Sequence, residues 1–113
     1  MKLQNYHISI VRGDSGTLTV RCKGPGGEAR PFSAGECVRL AVKADARQRE
    51  PLLQKAETDF PEGAAVFSFA PEDTRALPFG NYRYDVRLTD REGNVFTIVP
   101  AGDFTVLEAI ADA

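Results

Sequence analysis

Few side chains in this sequence have the chemistry of a catalytic or metal-binding site. The 113 residues include one His, two Cys and no Trp. His7 has no Cys or second His near it, and a catalytic histidine needs both a nucleophile and an orienting acid. We therefore predict no catalytic, cofactor-binding or metal-binding residues, and we interpret the chain as a non-enzymatic protein.

Two pairs of carboxylates are the next candidates: Glu57 with Asp59, and Glu72 with Asp73. Glycosidases place two carboxylates across a cleft, and calcium sites collect several oxygens at a fixed spacing. No loop of this sequence has that calcium-binding spacing. We interpret these acids as solvated turn residues, with Glu72 and Asp73 supporting the N-terminus of a short helical turn.

Two further motifs also have simple structural explanations. Residues 12–14 read Arg-Gly-Asp, a tripeptide that integrins recognise when it lies at the tip of a protruding loop. A tight turn between two strands explains the same Gly and Asp, and we favour that interpretation. The glycine-rich residues 24–27 lack the Gly-Lys-Ser/Thr ending and the following helix of a phosphate-binding loop, so they indicate a flexible loop.

Composition excludes several classes of protein. Fourteen Lys and Arg stand against 16 Asp and Glu, a formal net charge of -2, which argues against a nucleic-acid partner because such proteins need a basic surface. No apolar stretch approaches the roughly 20 residues of a membrane-spanning helix, so we expect no membrane partner. Polar residues interrupt the N-terminus at once, so we predict no signal peptide and synthesis in the cytoplasm.

The two cysteines are expected to remain unpaired. Cys22 shares the side of a predicted strand with Leu18 and Val20, which points inward, whereas Cys37 alternates with the inward-pointing Val38. Thiols on opposite faces rarely reach disulfide geometry. We expect a small buried hydrophobic residue at 22 and a free thiol near a strand start at 37.

Apolar residues alternate with polar ones along most of the chain, which indicates β-strands. Turn residues interrupt the alternation at intervals of roughly 8–12 residues, a spacing typical of a β-sandwich or barrel. We predict an all-β fold, an antiparallel β-sandwich of seven to eight strands, with one short helical turn near residues 72–77. Residues 52–56 fit either an edge strand or a helical turn, and residues 100–103 indicate a bulge or kink. We assign residues 1–107 to a single domain and residues 108–113 to an Ala-rich tail, either frayed or the start of a helix.

Tyr82 favours the sandwich over the barrel. It opens the strongest predicted strand after a crossing turn, where immunoglobulin-like domains place a tyrosine whose hydroxyl bonds backward to the upstream backbone. The alternative is that the Tyr82 ring simply packs in the core and its hydroxyl is solvated. The disulfide and the core Trp of antibody domains are absent, so we expect a divergent immunoglobulin-like fold in which Tyr82 is the structural corner.

Several stretches together resemble a known family. They are RGDS at 12–15, LPFGNYRYDV at 77–86, DREGNV at 90–95 and GDFTV at 102–106. They resemble the N-terminal immunoglobulin-like domain of bacteriophage baseplate upper proteins and related small prophage structural proteins. Baseplate upper proteins continue into a helical linker, so this chain corresponds either to a small stand-alone phage protein or to a fragment whose helix begins in the tail.

The resemblance implies a phage or prophage structural protein that acts in baseplate or tail assembly or attachment. Its expected partners are other virion proteins, with self-association as a further option, and its expected location is the virion. Aromatic and arginine side chains dominate interface energetics, so we predict the protein-binding residues to be Phe79, Arg83, Arg87 and Phe96. Arg83 and Arg87, together with Arg39, alternate with apolar residues on their strands. Cross-strand pairing with Asp85 and other acids is a simpler explanation of this pattern than a recognition surface.

Two alternatives stay open at this point. A bacterial surface or secreted β-sandwich could bind carbohydrate or a host protein, although the absence of Trp weakens the case for a sugar-binding platform. A small β-sheet enzyme or ligand carrier is the third option, and the scarcity of His argues against it.

Overall fold

Alternating apolar residues form most of the strands, because every second side chain of a strand points to the same face. The computed structural model describes residues 1–4, 6–45 and 47–110. The strands of these residues are β1 (Lys2–Gln4), β2 (His7–Val11), β3 (Gly16–Val20), β4 (Cys22–Lys23), β5 (Ala29–Arg30), β6 (Cys37–Lys43), β7 (Leu53–Glu57), β8 (Ala65–Phe69), β9 (Gly80–Thr89) and β10 (Val95–Leu107).

Six strands form the main sheet, in the order β1-β2-β10-β9-β6-β7. The remaining strands form two antiparallel pairs, β3 with β8 and β4 with β5. The all-β prediction is confirmed. The strand count was too low, because the short strands β1, β4 and β5 carry no clear alternation. The purely antiparallel arrangement was also wrong, because β2 pairs with β10 in parallel.

The core lies between the main sheet and the β3–β8 pair, and both contribute large apolar side chains. Phe67 of β8 and Phe104 of β10 are completely buried, and the Phe69 ring lies 6.0 Å from the Phe104 ring. Full burial of one such side chain contributes roughly 1.5–3 kcal/mol. The buried apolar side chains are Ile8, Ile10, Leu18, Val20, Phe32, Val38, Leu40, Val42, Ala64, Ala65, Phe67, Phe69, Leu77, Tyr82, Tyr84, Val86, Leu88, Phe104 and Val106.

The predicted helical turn is present as α1 (Pro71–Arg75). Asp73 accepts a hydrogen bond from the Ala70 N–H at 2.7 Å and forms an ion pair with Lys55 at 2.8 Å. Although burial opposes the charged form, these bonds lower the pKa of Asp73. The N-terminal role predicted for Asp73 is therefore observed. The ambiguous residues 52–56 become the edge strand β7, which supplies Lys55.

The Arg-Gly-Asp tripeptide forms a tight turn between β2 and β3. The Asp14 N–H donates to the Val11 carbonyl at 2.9 Å, and Gly13 has φ +87°, which favours glycine. The Gly13 N–H also donates to Thr74 Oγ1 at 2.9 Å, which ties this turn to α1. The glycine-rich residues 24–27 lie at the tip of the hairpin between β4 and β5.

Both cysteines are free thiols and both are half-buried, so the predicted lack of pairing is confirmed. Cys22 packs against the core but is only partly buried, so the full burial predicted for it is not observed. It does not extend the strand of Leu18 and Val20, however. That strand ends at Val20, and Cys22 starts β4 opposite Arg30.

Two buried tyrosines of β9 use their hydroxyls to hold neighbouring backbone. Tyr82 Oη donates to the Pro78 carbonyl at 2.6 Å, which is the backward bond that its position predicts. Tyr84 Oη donates to the Tyr6 carbonyl at 2.6 Å, and burial raises the pKa of Tyr84 to about 12. Gly102 lies under the same carbonyl of Tyr6, where a Cβ atom would collide with it.

The predicted irregularity of the last strand is also found. The pairing of β10 with β9 shifts register between Thr97 and Val99 and again between Val99 and Gly102. The strand ends at Leu107, and residues 108–110 contain no helix. The rest of the Ala-rich tail, residues 111–113, lies outside the described residues.

An ion pair between the partly exposed Arg30 and the buried Glu36 fixes the loop before β6. Glu36 is only 4% exposed, and its carboxylate accepts two hydrogen bonds from Arg30, at 2.9 and 2.6 Å, and one from the Ser33 N–H at 2.9 Å. The bonds from Arg30 lower the pKa of Glu36 to about 2, against the opposing effect of burial. Arg91 of the β9–β10 hairpin donates to the Ala34 carbonyl at 2.7 Å and so fastens the hairpin to this loop.

The Tyr82→Phe substitution tests the corner. It removes the hydroxyl but keeps the ring, and leaves the Pro78 carbonyl without this donor. We expect the free energy of unfolding to fall by about 1 kcal/mol in urea denaturation. Tyr6→Phe is the matched control, because the Tyr6 side chain is exposed and should tolerate the change. Equal stability of the two variants would contradict the role given to Tyr82.

The Glu36→Gln substitution tests the Arg30–Glu36 ion pair through the pH dependence of stability. A carboxyl whose pKa falls from 4.5 to about 2 on folding stabilises the native state above pH 4.5. This contribution is lost as the pH falls towards 2. We expect the free energy of unfolding of wild type to fall by about 3 kcal/mol as the Glu36 carboxylate becomes protonated. The Glu36→Gln variant should not show this fall. Glu92→Gln makes the same change of side chain in an exposed turn and serves as the control. A pH profile of stability that is unchanged in Glu36→Gln would contradict the assignment.

Candidate protein-binding face

The side chains of β9 alternate between the core and the opposite, outer face of the main sheet. Tyr82, Tyr84, Val86 and Leu88 point inward and are buried. Arg83 and Arg87 therefore share the outer face. Two of the four predicted protein-binding residues are thus brought to one surface by the strand itself.

The neighbouring strand β6 adds two more cations to this surface. Its antiparallel register places Arg39 directly opposite Arg87, and Lys43 directly opposite Arg83. Directly opposed residues have Cβ atoms about 4.5–5.5 Å apart, and like charges in such positions destabilise the sheet. We call Arg39, Lys43, Arg83 and Arg87 the basic face.

The predicted pairing of the arginines with acids holds for only one of them. Arg83 forms an ion pair with Asp103 of β10 and donates to the Ala101 carbonyl at 3.2 Å. Asp103 also contacts His7, whose Nδ1 accepts a hydrogen bond from the Asp103 N–H at 3.1 Å. Asp85, the expected partner, lies opposite Ala41 instead.

The other cations of this region have no carboxylate partner in the part of the chain that the structure describes. The ion pairs found there are Arg30–Glu36, Lys55–Asp73 and Arg83–Asp103. Arg39, Lys43 and Arg87 take part in none of them. The cross-strand explanation offered by the sequence therefore fails for Arg39 and Arg87, which face each other.

An open cavity of about 360 Å³ adjoins the basic face. Both charge signs line it, and small apolar side chains form part of its wall. The lining residues are Ala41, Lys43, Asp45, Arg49, Pro51, Gln54, Arg83, Tyr84, Asp85, Arg87 and Ala101. Its volume is in the range of small-ligand sites, and it would also accept a few residues of an extended chain.

The two predicted aromatic anchors are exposed but lie apart from each other. Phe79 is 61% exposed just before β9 begins, and Phe96 is 52% exposed near the far end, opposite Leu88. From Gly80 to Leu88 the strand runs about 27 Å, at roughly 3.4 Å per residue. Both faces of the hairpin tip are accessible, because Val95 is exposed as well. The four predicted residues therefore do not form one patch.

Sequence reasoning missed three charged residues of the cavity: Lys43, Asp45 and Arg49. The outward position of Lys43 follows from the alternation of β6, so a signal existed for it. Asp45 and Arg49 lie in the irregular segment between β6 and β7, where no periodicity indicates which way a side chain points. Only the folded chain brings them into the same cavity as Arg87.

The other chemical candidates are dispersed. His7 is half-exposed and contacts Asp103, and Asp73 supports α1. No group of three or more His, Cys, Asp or Glu residues that could hold a metal ion occurs within residues 1–4, 6–45 and 47–110. Over the same ranges, the structure contains no helix of the length and apolar character needed to cross a membrane.

Comparison of the chain with protein-family models, with curated proteins and with solved structures found no match.

The Arg87→Glu substitution tests the like-charge contact of the basic face. It converts the repulsion between residues 87 and 39 into an attraction, so we expect the free energy of unfolding to rise by about 0.5 kcal/mol at low salt. The gain should shrink as salt screens the charges. Urea denaturation at two ionic strengths measures both effects.

Arg12→Glu in the exposed β2–β3 turn makes the same change of charge outside the basic face, and serves as the control. A loss of stability in Arg87→Glu at low salt, with Arg12→Glu unchanged, would contradict the proximity of Arg39 and Arg87.

Proposed function

We propose that the protein is a non-enzymatic structural protein of a phage or prophage, an assembly or attachment domain of the baseplate or tail. The single observation that carries the protein-binding part is the basic face, where Arg39 and Arg87 stand opposite each other and form no ion pair with any residue that the structure describes. Arginine is enriched at interface hot spots. The phage part rests on the sequence motifs that resemble baseplate upper proteins.

We further propose that the fold is a divergent immunoglobulin-like sandwich. Two observations support this assignment. The β3–β8 pair packs over the main sheet, and Tyr82 makes the backward hydroxyl bond to Pro78 that is typical of the tyrosine corner. The parallel β2–β10 pair and the small second layer are the departures that make the fold divergent.

In this role the protein acts through its surface and needs no cofactor. Its partners are other virion proteins, and it is located in the virion. Exposed Phe79 and Phe96 mark separate points of contact at the two ends of β9. A flat sugar-binding platform, which the carbohydrate-binding alternative requires, is not formed by these two rings because they lie at opposite ends of the strand.

Particle purification tests the proposed function. Phage particles from the strain or phage that encodes the chain should contain the protein at a fixed copy number after density-gradient banding. Quantitative mass spectrometry against a major tail protein measures that ratio. Deletion of the gene should leave incomplete or non-infectious particles. Purified, infectious particles without the protein would contradict the proposal.

A further inference from the structure

The basic face has an electrostatic cost, and Asp85, which lies on the same outer face between Arg83 and Arg87, forms no ion pair with these arginines within the described residues. Arg39 and Arg87 oppose each other across neighbouring strands, and neither forms an ion pair there. Like charges directly opposite each other destabilise a sheet. A bound carboxylate placed between the two guanidinium groups would turn this repulsion into two attractions, because arginine binds carboxylates through paired hydrogen bonds.

The cavity beside Arg87 has a mixed charge pattern. Lys43, Arg49, Arg83 and Arg87 contribute positive charge, whereas Asp45 and Asp85 contribute negative charge. Arg83 is already paired with Asp103, so the surplus comes from the other cations. The surplus of positive charge lies in a protein whose formal net charge is -2, so it is a local feature of this surface.

This pattern fits a peptide better than a nucleic acid. A phosphodiester chain carries a negative charge at every residue and would meet the carboxylates of Asp45 and Asp85. An extended peptide carries N–H donors as well as acidic side chains, so it can satisfy both kinds of group. Ala41, Pro51 and Ala101 offer apolar wall to the aliphatic part of its side chains.

We infer that the basic face and its cavity bind an extended acidic segment of another protein. A Glu or Asp side chain of that segment lies between Arg39 and Arg87, and neighbouring residues enter the cavity towards Lys43 and Arg49. Asp45 and Asp85 accept hydrogen bonds from the N–H groups of the segment. The inference rests on the protein-binding part of the proposed function and specifies the chemistry of the partner.

A synthetic peptide tests this binding directly. The probe is a fluorescein-labelled, acetylated and amidated peptide of sequence Glu-Ser-Glu-Ser-Glu-Ser-Glu, and its counterpart carries Gln in place of every Glu. Fluorescence anisotropy at low salt measures the affinity, and amide chemical shifts of the ¹⁵N-labelled protein locate the site. We expect the acidic probe to shift β6 and β9 amides and the Gln counterpart to bind at least about tenfold more weakly.

Two variants separate a specific site from a general charge effect. Arg87→Gln removes one of the two guanidinium groups that hold the carboxylate, and should lower the affinity for the acidic probe at least about tenfold. Arg75→Gln removes the same charge from the exposed end of α1 and should leave the affinity unchanged. Arg87→Gln relieves the like-charge contact and is expected to stay folded, which its ¹⁵N amide spectrum checks, so loss of binding by the folded variant reports on the site.

Several results would overturn the inference. They are absence of binding by the acidic probe, equal binding of its Gln counterpart, and equal effects of Arg87→Gln and Arg75→Gln. Tighter binding of a ten-residue thymidine oligonucleotide would identify a nucleic-acid site instead. Equal or tighter binding of free citrate would identify a small-molecule site.

The two proposals fail separately. A protein that binds the acidic probe through Arg87 but is absent from phage particles retains this site and loses the phage assignment. A protein that is present in particles but does not bind the probe keeps the structural role and loses the acidic-segment partner.

Discussion

The pairing of β9 on both of its edges is the constraint on which the rest of the structure depends. β9 pairs with β6 on one side and β10 on the other, and its four inward residues supply the centre of the core. Because the side-chain period is two, burial of Tyr82, Tyr84, Val86 and Leu88 also determines what lies outside. A slip by one residue would bury Arg83 and Arg87, so the register that builds the core also creates the basic face.

The ends of β9 are held by different interactions. Before the strand, the Tyr82 hydroxyl holds the Pro78 carbonyl, and within it the Tyr84 hydroxyl holds the Tyr6 carbonyl above Gly102. After the strand, Arg91 fastens the hairpin to the loop that the Arg30–Glu36 ion pair supports. These contacts join segments that are distant in sequence to the same strand. The outer face of β9 is therefore held at both ends of the strand, which favours a binding surface formed by strands.

Local alternation explains which parts of the fold the sequence predicts. β2, β3, β6, β8 and β9 alternate clearly, so their existence and inward residues follow from the sequence. The short strands β1, β4 and β5 depend on tertiary pairing and carry no such pattern. The same division holds for the site. The shared face of Arg83 and Arg87 follows from periodicity, but the opposition of Arg39 and Arg87 depends on the register between β6 and β9.

The central claim is that Arg39 and Arg87 lie directly opposite each other on neighbouring strands. A double-mutant cycle measures their interaction most directly. Free energies of unfolding of wild type, Arg39→Gln, Arg87→Gln and the double variant at low salt give the coupling between the two side chains. The structure predicts a repulsive coupling of about 0.5 kcal/mol. Either single substitution should relieve the repulsion, so the second substitution should raise the free energy of unfolding by less than the first. Zero or attractive coupling would contradict the register and, with it, the basic face.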